Sequence, residues 1–166
     1  HGEASRMIQL VNDILQLSHL DSVSETHAQP DMETVDLLDV AKDCVERQKL
    51  NAQRSFISLT YLGESARVLG NRDQLDELCQ NLCDNAIRYN RPGGKVQLIT
   101  SCTRDGHCTL TVKDNGIGIP KDAQSSVFER FYRVDKSRSK ATGGTGLGLA
   151  IVKHIARIHN ARIKLD

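Results

Sequence analysis

The stretch that most constrains the fold runs from Asp114 to Pro120 and places an acid and two spaced glycines after an alternating apolar run. Residues 108–113 have the alternation of a half-buried strand, so the sequence predicts a sheet that ends at Asp114. Gly116 and Gly118 tolerate a positive φ there and let a ligand lie against bare backbone. A carboxylate at a strand end can accept a hydrogen bond from an exocyclic amine such as that of adenine. An ordinary strand-to-loop turn is the alternative for this stretch taken alone.

Size and charge exclude several classes of protein. The chain has 166 residues, 39% hydrophobic and 26% charged, so it can bury a core and suits one domain with an appendage. Lys and Arg total 22 against 21 Asp and Glu, a balance that gives no field of one sign to attract nucleic acid. No apolar run approaches the roughly 18 residues that span a bilayer, and the N-terminus lacks the features of a signal peptide.

The cysteines are five in number and match no C-x-x-C pattern, which favours reduced thiols in a cytosolic compartment. They are Cys44, Cys79, Cys83, Cys102 and Cys108. Cys79 and Cys83 lie one helical turn apart and could form half of a metal site, but no second pair of ligands accompanies them. We therefore expect cysteines of the core.

The first part of the chain predicts an amphipathic helix over residues 3–20. Its apolar stripe consists of Met7, Leu10, Val11, Ile14 and Leu17. The stripe is not contiguous with the later core, so we expect a helical bundle with partners outside this sequence, including self-association. Residues 22–34 are polar, contain Pro30 and lack a period, which indicates a linker. The predicted organisation is a bundle helix at 1–21, a linker at 22–34 and the main domain at 35–166.

The main domain is predicted to alternate helices and strands. Asp36 caps a helix that extends to about residue 51, and a second helix begins near Asn71 and stops at the Pro-Gly-Gly of residues 92–94. The predicted strands are 56–62, 67–69, a hairpin of 95–102 and 108–113, and a closing strand from Arg162 to Leu165. Later segments are an apolar anchor (Val127, Phe128, Phe131), a basic loop at 133–142 predicted to be mobile, and a helix after the last glycines.

Two amides and a cation share one side of the second helix. Asn81 and Asn85 lie four residues apart and so project from one face, with Arg88 on a neighbouring track. Amide oxygens are acceptable ligands for Mg²⁺ when phosphates supply the negative charge. A solvated polar face is the alternative for Asn81, whereas Asn85 lies in an apolar stretch and needs partners if it is buried.

The glycines from Gly143 to Gly148 directly precede a helix. Free backbone N–H groups and the positive end of the helix dipole would converge there, which predicts a phosphate cradle. The run is neither a P-loop nor a dinucleotide fingerprint after a strand. A flexible hinge capped by a helix is the alternative, but it leaves unexplained why Asn85, Asp114 and Gly144 recur at nearly even intervals.

These elements together resemble the ATP-binding catalytic domain of a two-component sensor histidine kinase. Four stretches match in order: 81–86 resembles the family's N box, 114–120 its first glycine box, 127–133 its F box and 144–149 its second glycine box. Residues 4–21 resemble the second helix of the dimerisation and phosphotransfer hairpin. The resemblance thus covers nearly the whole chain.

The resemblance implies a role for each matching residue around adenine and the metal. Asn85 would coordinate Mg²⁺ with help from Asn81, and Asp114 would accept from the adenine amine. The further residues implied at this end of the site are Arg88 for phosphate, Tyr89 beside adenine, Gly116 and Gly118 for close approach, and Ile119 on the base.

At the phosphate end, the second glycine box would border the triphosphate. The residues implied are Gly144, Thr145, Gly146, Leu147 and Gly148, with Leu147 holding the far end of a lid. Arg133 stands where the family has a basic residue, and it is a candidate for the γ-phosphate because phosphoryl transfer needs charge stabilisation.

The implied fold is the two-layer α/β sandwich that this family shares with gyrase and the heat-shock chaperone ATPases, a mixed sheet with helices on one face. The implied cofactors are ATP and Mg²⁺. The implied partners are the protein's own dimerisation and phosphotransfer domain and a response regulator receiver domain, with a homodimeric parent and no nucleic acid. A cytoplasmic location follows, with the parent anchored in the cell membrane.

Departures from the pattern refine the expected activity. Asn81 stands where hydrolytic members of the superfamily place a Glu, and an amide cannot act as a base for water, which favours phosphotransfer over hydrolysis. None of the histidines has the acid and proline context of the phosphoacceptor motif, so the acceptor is expected on a missing helix. The domain is expected to be clipped at both ends. The alternatives are a serine kinase of the anti-sigma type and a non-catalytic nucleotide-sensing module.

Overall fold

A computed structural model describes residues 2–25, 31–134 and 144–166. The chain divides into two compact units, one formed by Asp31–Gly118 and the other by His1–Pro30 together with Ile119–Asp166. The domain boundaries expected from the sequence, at 1–21, 22–34 and 35–166, stay predictions.

The unit Asp31–Gly118 contains a mixed sheet covered by two helices. Its elements are β1 Glu33–Asp36, α2 Leu37–Arg54, β2 Ser58–Gly63, β3 Arg67–Gly70, α3 Arg72–Arg88, β4 Lys95–Cys102 and β5 Cys108–Asp114. The strand order is β2-β4-β5, with β2 parallel and β5 antiparallel to β4, and β1 pairs antiparallel with β3. The predicted α/β sandwich with a mixed sheet is confirmed.

One face of β4 forms the floor of the core. Val96, Leu98 and Thr100 alternate along the strand and are at most 1% exposed, while the residues between them are not buried. The helices α2 and α3 pack on each other and on this sheet. The period of two in β4 therefore places the helices on a single face.

Both core helices begin where their capping residues predict. Asp36 Oδ1 accepts the N–H of Leu38 and that of Ala66, each at 2.9 Å, and Ser65 Oγ donates to Oδ2 at 2.5 Å. Asn71 Oδ1 accepts the Gln74 N–H at 3.0 Å. The bonds from Leu38 and Gln74 satisfy backbone donors of the first helical turns that have no partner inside the helix.

Three cysteines lie in the core, as predicted. Cys44 is 2% exposed, and Cys79 and Cys83 are fully buried. The hydrogen bond that each makes with Cys44 raises the pKa of Cys79 and that of Cys83, and burial raises both pKa values further. Among the described residues no group of His, Cys, Asp and Glu could hold a metal ion, so the half-site formed by Cys79 and Cys83 is not completed.

The expectation of five reduced thiols is wrong for the other two cysteines. Cys102 and Cys108 form a disulfide. They are directly opposite partners in the register of β4 and β5, with Cα atoms 4.1 Å apart. Spacing along the sequence did not indicate this pairing, because it depends on the register of the hairpin.

The second unit begins with α1, Gly2–Glu25, which is longer than the predicted helix at 3–20. The predicted linker at 22–34 is correspondingly shorter, since its first residues belong to α1 and β1 begins at Glu33. Residues 26–30 of that linker lie outside the described residues. Within the described ranges, no helix combines the length and apolarity needed to cross a bilayer.

The last helix, α4, spans Gly148–Ile158, and of the apolar residues at helical spacing Leu147, Ile151 and Ile155 are at most 1% exposed, while Ile158 is half-buried. The predicted closing strand from Arg162 to Leu165 is wrong, because these residues are largely exposed and pair with no described strand. Conversely, β1 was not predicted. Val35 is the one buried residue of its four, and the sequence Glu-Thr-Val-Asp shows no alternation of apolar and polar residues from which a strand could be predicted.

Candidate functional site

The end of α3 carries the two predicted amide ligands. Asn81 and Asn85 are half-buried on one face of the helix, and no described residue hydrogen bonds to either side-chain amide. Arg88 pairs with Asp84 at 2.7 Å, and its side chain is 19% exposed. The amide oxygens thus have no competing protein donor among the described residues, whereas the cation beside them is already neutralised.

Tyr89 joins α3 to the first glycine box. Its N–H caps the helix by donating to Asn85 O at 3.0 Å, and the residue is 37% exposed. Its carbonyl oxygen accepts the Ile117 N–H at 3.1 Å. The predicted adenine-flanking ring and the glycine box are therefore held together by backbone.

Asp114 ends β5 with its carboxylate partly fixed. Oδ1 accepts the Gly116 N–H at 2.8 Å, and the side chain is exposed. Within the described chain, Oδ2 has no hydrogen-bond donor. One carboxylate oxygen is thus held by the turn, and the other is open to a hydrogen-bond donor.

The two glycines of this box act differently. A Cβ on Gly116 would lie 2.5 Å from Tyr89 O and 2.9 Å from Asp114 Oδ1, so only glycine fits. Gly118 has φ +71° and open space around it. Position 116 needs glycine because protein segments approach it closely, and position 118 favours glycine because its backbone has a positive φ.

Sequence reasoning missed two asparagines that hold this box in place. Asn115 Oδ1 accepts the Lys95 N–H at 2.7 Å, and Asn90 Nδ2 donates to Lys95 O at 3.2 Å. Both tie the turn to the start of β4. The signal in the sequence was the position of each Asn, with Asn115 directly before Gly116 and Asn90 directly before the turn at residues 91–94. In such positions an Asn side chain commonly bonds to nearby backbone.

In the second unit, the F box contacts the second glycine box through backbone. Phe131 N–H donates to Gly146 O at 2.9 Å, and a Cβ on Gly146 would lie 3.0 Å from Phe131 Cα. Val127 is buried, as expected of an anchor, but Phe131 is 58% exposed with φ +62°. The expectation that the Phe131 ring anchors the segment is therefore wrong, because its main chain makes the contact.

The second glycine box forms the start of α4. Gly144 is buried, Gly146 has φ +78°, and Leu147 is fully buried. No side chain caps the first turn of the helix. Of the remaining predicted residues, Ile119 and Arg133 are half-buried. Residues 135–142, which are most of the predicted mobile loop, lie outside the described residues, as does Gly143.

Helix α1 contacts both boxes of this unit. Arg130 donates through one nitrogen to both carboxylate oxygens of Asp21, at 2.9 and 2.7 Å. Thr145 Oγ1 donates to Asp13 Oδ2 at 2.5 Å. Thr145, predicted to border the triphosphate, is thus bonded to a carboxylate of α1 in this structure.

The fold and these boxes define an ATPase domain of a known class. Residues 70–166 match the model of the family described as histidine kinase-, DNA gyrase B-, and HSP90-like ATPase. The chain belongs to this family, which confirms the resemblance seen in the sequence.

Individual relatives narrow the class to sensor kinases. The sensor-like histidine kinase SenX3 of Mycolicibacterium smegmatis is 44% identical over 165 residues, 99% of this chain and 42% of the relative. The sensor protein kinase WalK of Staphylococcus saprophyticus is 39% identical over 97% of this chain and 26% of its own length. The chain therefore spans less than half of these curated relatives.

Solved structures show the same likeness. The mycobacterial sensor histidine kinase MprB superposes with a TM-score of 0.67 at 34% identity, covering 78% of this chain and 81% of that one. Full-length ShkA in complex with AMPPNP superposes with a TM-score of 0.78 at 26% identity, over 94% of this chain and 32% of that one. The chain is homologous to the ATP-binding catalytic domains of sensor histidine kinases.

Proposed function

We propose that this chain binds Mg·ATP and serves a two-component sensor kinase, transferring the γ-phosphoryl group to a histidine for relay to a response regulator. The observation that carries the proposal is the Asp114 carboxylate, oriented by the Gly116 N–H with its second oxygen left without a protein donor among the described residues. ATP binding by the family, and the AMPPNP complex of ShkA, support it.

At the adenine end, Asp114 would accept from the exocyclic amine. Guanine presents a carbonyl in that position, and two acceptors would then face each other without a proton between them. Tyr89 would flank the ring from the end of α3, Gly118 would leave backbone open to the base, and Ile119 would pack on it.

The side chains present fit a magnesium ion that brings its own phosphates. Asn81 and Asn85 offer amide oxygens with no hydrogen bond from a described residue, and no all-protein cage of acids, His or Cys exists among those residues. Mg²⁺ keeps several waters and is held by few protein ligands in such sites. When bound, the ion neutralises phosphate charge during transfer.

At the phosphate end, the first turn of α4 lacks a side-chain cap, which leaves its backbone N–H groups as donors. Residues 144–148 would border the triphosphate through these donors, and Arg133 would stabilise charge on the γ-phosphate. Arg88, now paired with Asp84, would need to exchange that partner to contact phosphate.

We propose phosphotransfer in place of hydrolysis, since Asn81 offers an amide where a base for water would be required. The acceptor would be a histidine in the dimerisation and phosphotransfer hairpin of the parent protein. Met7, Val11 and Ile14 of α1 are 45–67% exposed, which supports packing of this helix in a homodimeric bundle. The parent would be a membrane-anchored sensor with this part in the cytoplasm.

Calorimetry with ATP, ADP and GTP tests the nucleotide assignment. We expect ATP to bind at least about tenfold more tightly than GTP, and Asp114→Asn to remove most of that preference, since a hydrogen bond to a charged group contributes about 1.5–3 kcal/mol. Asp105→Asn is a matched control, because Asp105 is also exposed and bonded within a turn of the same hairpin. Equal affinity for ATP and GTP in the unmodified protein would refute the adenine assignment.

A further inference from the structure

The last cross-strand pair before the turn of the β4-β5 hairpin is Cys102 and Cys108. In the next pair toward the turn, the Thr103 N–H donates to His107 O at 2.8 Å. The Cys102 N–H does not point to the partner strand, because it donates to Glu64 Oε1 at 3.2 Å. Cys102 and Cys108 therefore occupy a position where the two strands exchange no backbone bond. Side chains stand closest across such pairs, so the two sulfur atoms meet without any change of register.

The pair is accessible, in contrast to the other cysteines. Cys102 and Cys108 are half-buried at the edge of the core, and residues 103–107 of the adjoining turn are exposed throughout. Cys44, Cys79 and Cys83 are at most 2% exposed. A small thiol or disulfide can reach the hairpin pair without unfolding the core, whereas the core cysteines require opening of the unit.

The surrounding charges are mixed. Arg104 and Asp105 both lie in the exposed turn, and the Glu64 carboxylate accepts a hydrogen bond from the Cys102 N–H. No single sign of charge dominates the described surroundings of the pair. Accessibility and strand register, and not an electropositive pocket, distinguish this pair from the core cysteines.

We propose that Cys102 and Cys108 form a reversible thiol–disulfide site that exchanges with low-molecular-weight disulfides and thiols of the glutathione class. In the forward direction one protein thiolate attacks a sulfur of the small disulfide, and a mixed disulfide forms as one small thiolate leaves. The second protein thiolate attacks that mixed disulfide, closing Cys102–Cys108 and releasing a second small thiolate. The protein loses two electrons and two protons, and the small disulfide is reduced to two thiols.

The expected structural consequence is local. β4 and β5 pair over seven residue pairs, with Val96 opposite Asp114 at one end and the cysteines at the other. The disulfide closes the turn end of the hairpin and leaves the Asp114 end held by Asn115 and Asn90. Oxidation should therefore slow opening of the turn and leave nucleotide binding unchanged, so a failure of this proposal and a failure of the nucleotide proposal are separable.

Differential alkylation of the folded chain tests the site. The protein is equilibrated with defined ratios of reduced to oxidised glutathione, quenched, alkylated, and mapped by mass spectrometry. We expect an intramolecular link between Cys102 and Cys108 that forms and disappears with the ratio, while the three core cysteines stay reduced throughout. Hydrogen exchange of the amides of 103–109 should be roughly tenfold or more slower in the oxidised form, the scale of a typical disulfide constraint.

Single substitutions supply the control. Cys102→Ser and Cys108→Ser should each give a mixed disulfide with glutathione at the remaining cysteine, and Cys79→Ser should leave the hairpin link intact. The proposal is overturned if Cys102 and Cys108 remain separately alkylated, or carry only glutathione, under oxidising ratios. It is equally overturned if the link persists in excess reduced glutathione while the protein stays folded.

Discussion

Replacement of Gly116 by alanine probes how the first glycine box is docked on α3. The added Cβ would lie 2.5 Å from Tyr89 O, 2.9 Å from Asp114 Oδ1 and 3.1 Å from Asn90 Cα. Two of these neighbours are backbone atoms that cannot rotate away. The turn must therefore move, and it carries the Asp114 carboxylate and the Ile117 N–H with it.

The magnitude follows from the contacts that are disturbed. Forcing a methyl group into a filled space costs about 1–3 kcal/mol, and weakening the 3.1 Å bond from Ile117 N–H to Tyr89 O adds about 0.5–1.5 kcal/mol. We expect Gly116→Ala to lower the free energy of unfolding by about 2–4 kcal/mol. Affinity for ATP should fall at least about tenfold, because the bond that orients Asp114 is displaced.

Gly106 is a matched control for stability and for ATP affinity, and Gly118, which the proposal places beside the base, is a control for stability alone. Gly118 and Gly106 have φ of +71° and +87° and no atom within 4 Å of where a Cβ would stand, so alanine there costs only the left-handed conformation, about 1–2 kcal/mol. The chain lacks tryptophan, so urea unfolding is followed by circular dichroism, with calorimetry for ATP. If Gly116→Ala matches Gly106→Ala in both stability and affinity, the described docking of the glycine box is incorrect.

Four further substitutions have defined outcomes. Asn85→Ala should abolish most of the tightening of ATP binding by Mg²⁺, measured by calorimetry with and without the metal, and an undiminished Mg²⁺ effect would exclude the metal role. Tyr89→Ala should instead weaken the binding of all adenine nucleotides alike. Gly146→Ala should destabilise the protein by about 1–3 kcal/mol, because its Cβ meets the Phe131 backbone at 3.0 Å with φ +78°, and a neutral result in thermal unfolding would argue against that contact. The hydrogen bond from Ser65, with those from Ala66 and Leu38, lowers the pKa of Asp36 below 3.8, so its stabilisation is present above that pH and is lost as pH falls through the lower folded value. Asp36→Asn should therefore cost about 0.5–1 kcal/mol of unfolding free energy at pH 7 and progressively less as the pH falls below 3.8, and a pH-independent difference would contradict the assignment.

Features encoded by neighbouring residues were predictable from the sequence. Asp36 and Asn71 cap their helices with their own side chains, and the alternation in 95–102 and 108–113 predicted β4 and β5 closely. β1 was missed because its pairing with β3, and not an internal pattern, makes it a strand. Arg162 to Leu165 shows the reverse case, a strand-like pattern with no described partner.

The candidate site divides in the same way. Asn81, Asn85 and Asp114 were predicted as site residues from helical spacing and a strand end, which are local properties, and their roles stay predictions. The exposure of Phe131, the pairing of Arg88 with Asp84 and the bond from Thr145 to Asp13 depend on which segments meet in three dimensions. The Cys102–Cys108 link likewise depends on strand register, which a cysteine count does not contain.

Phosphotransfer in trans tests the central claim most directly. The chain is incubated with γ-labelled ATP, alone and with the segment of its parent protein that carries the phosphoacceptor histidine, and the label is then challenged with acid and with alkali. We predict no label on the chain alone, and a slow transfer to the added segment that is acid-labile and alkali-stable, because mixing cannot match the roughly mM effective concentration that tethering provides. Label that appears on the isolated chain and survives acid would contradict the histidine kinase account and favour a serine kinase.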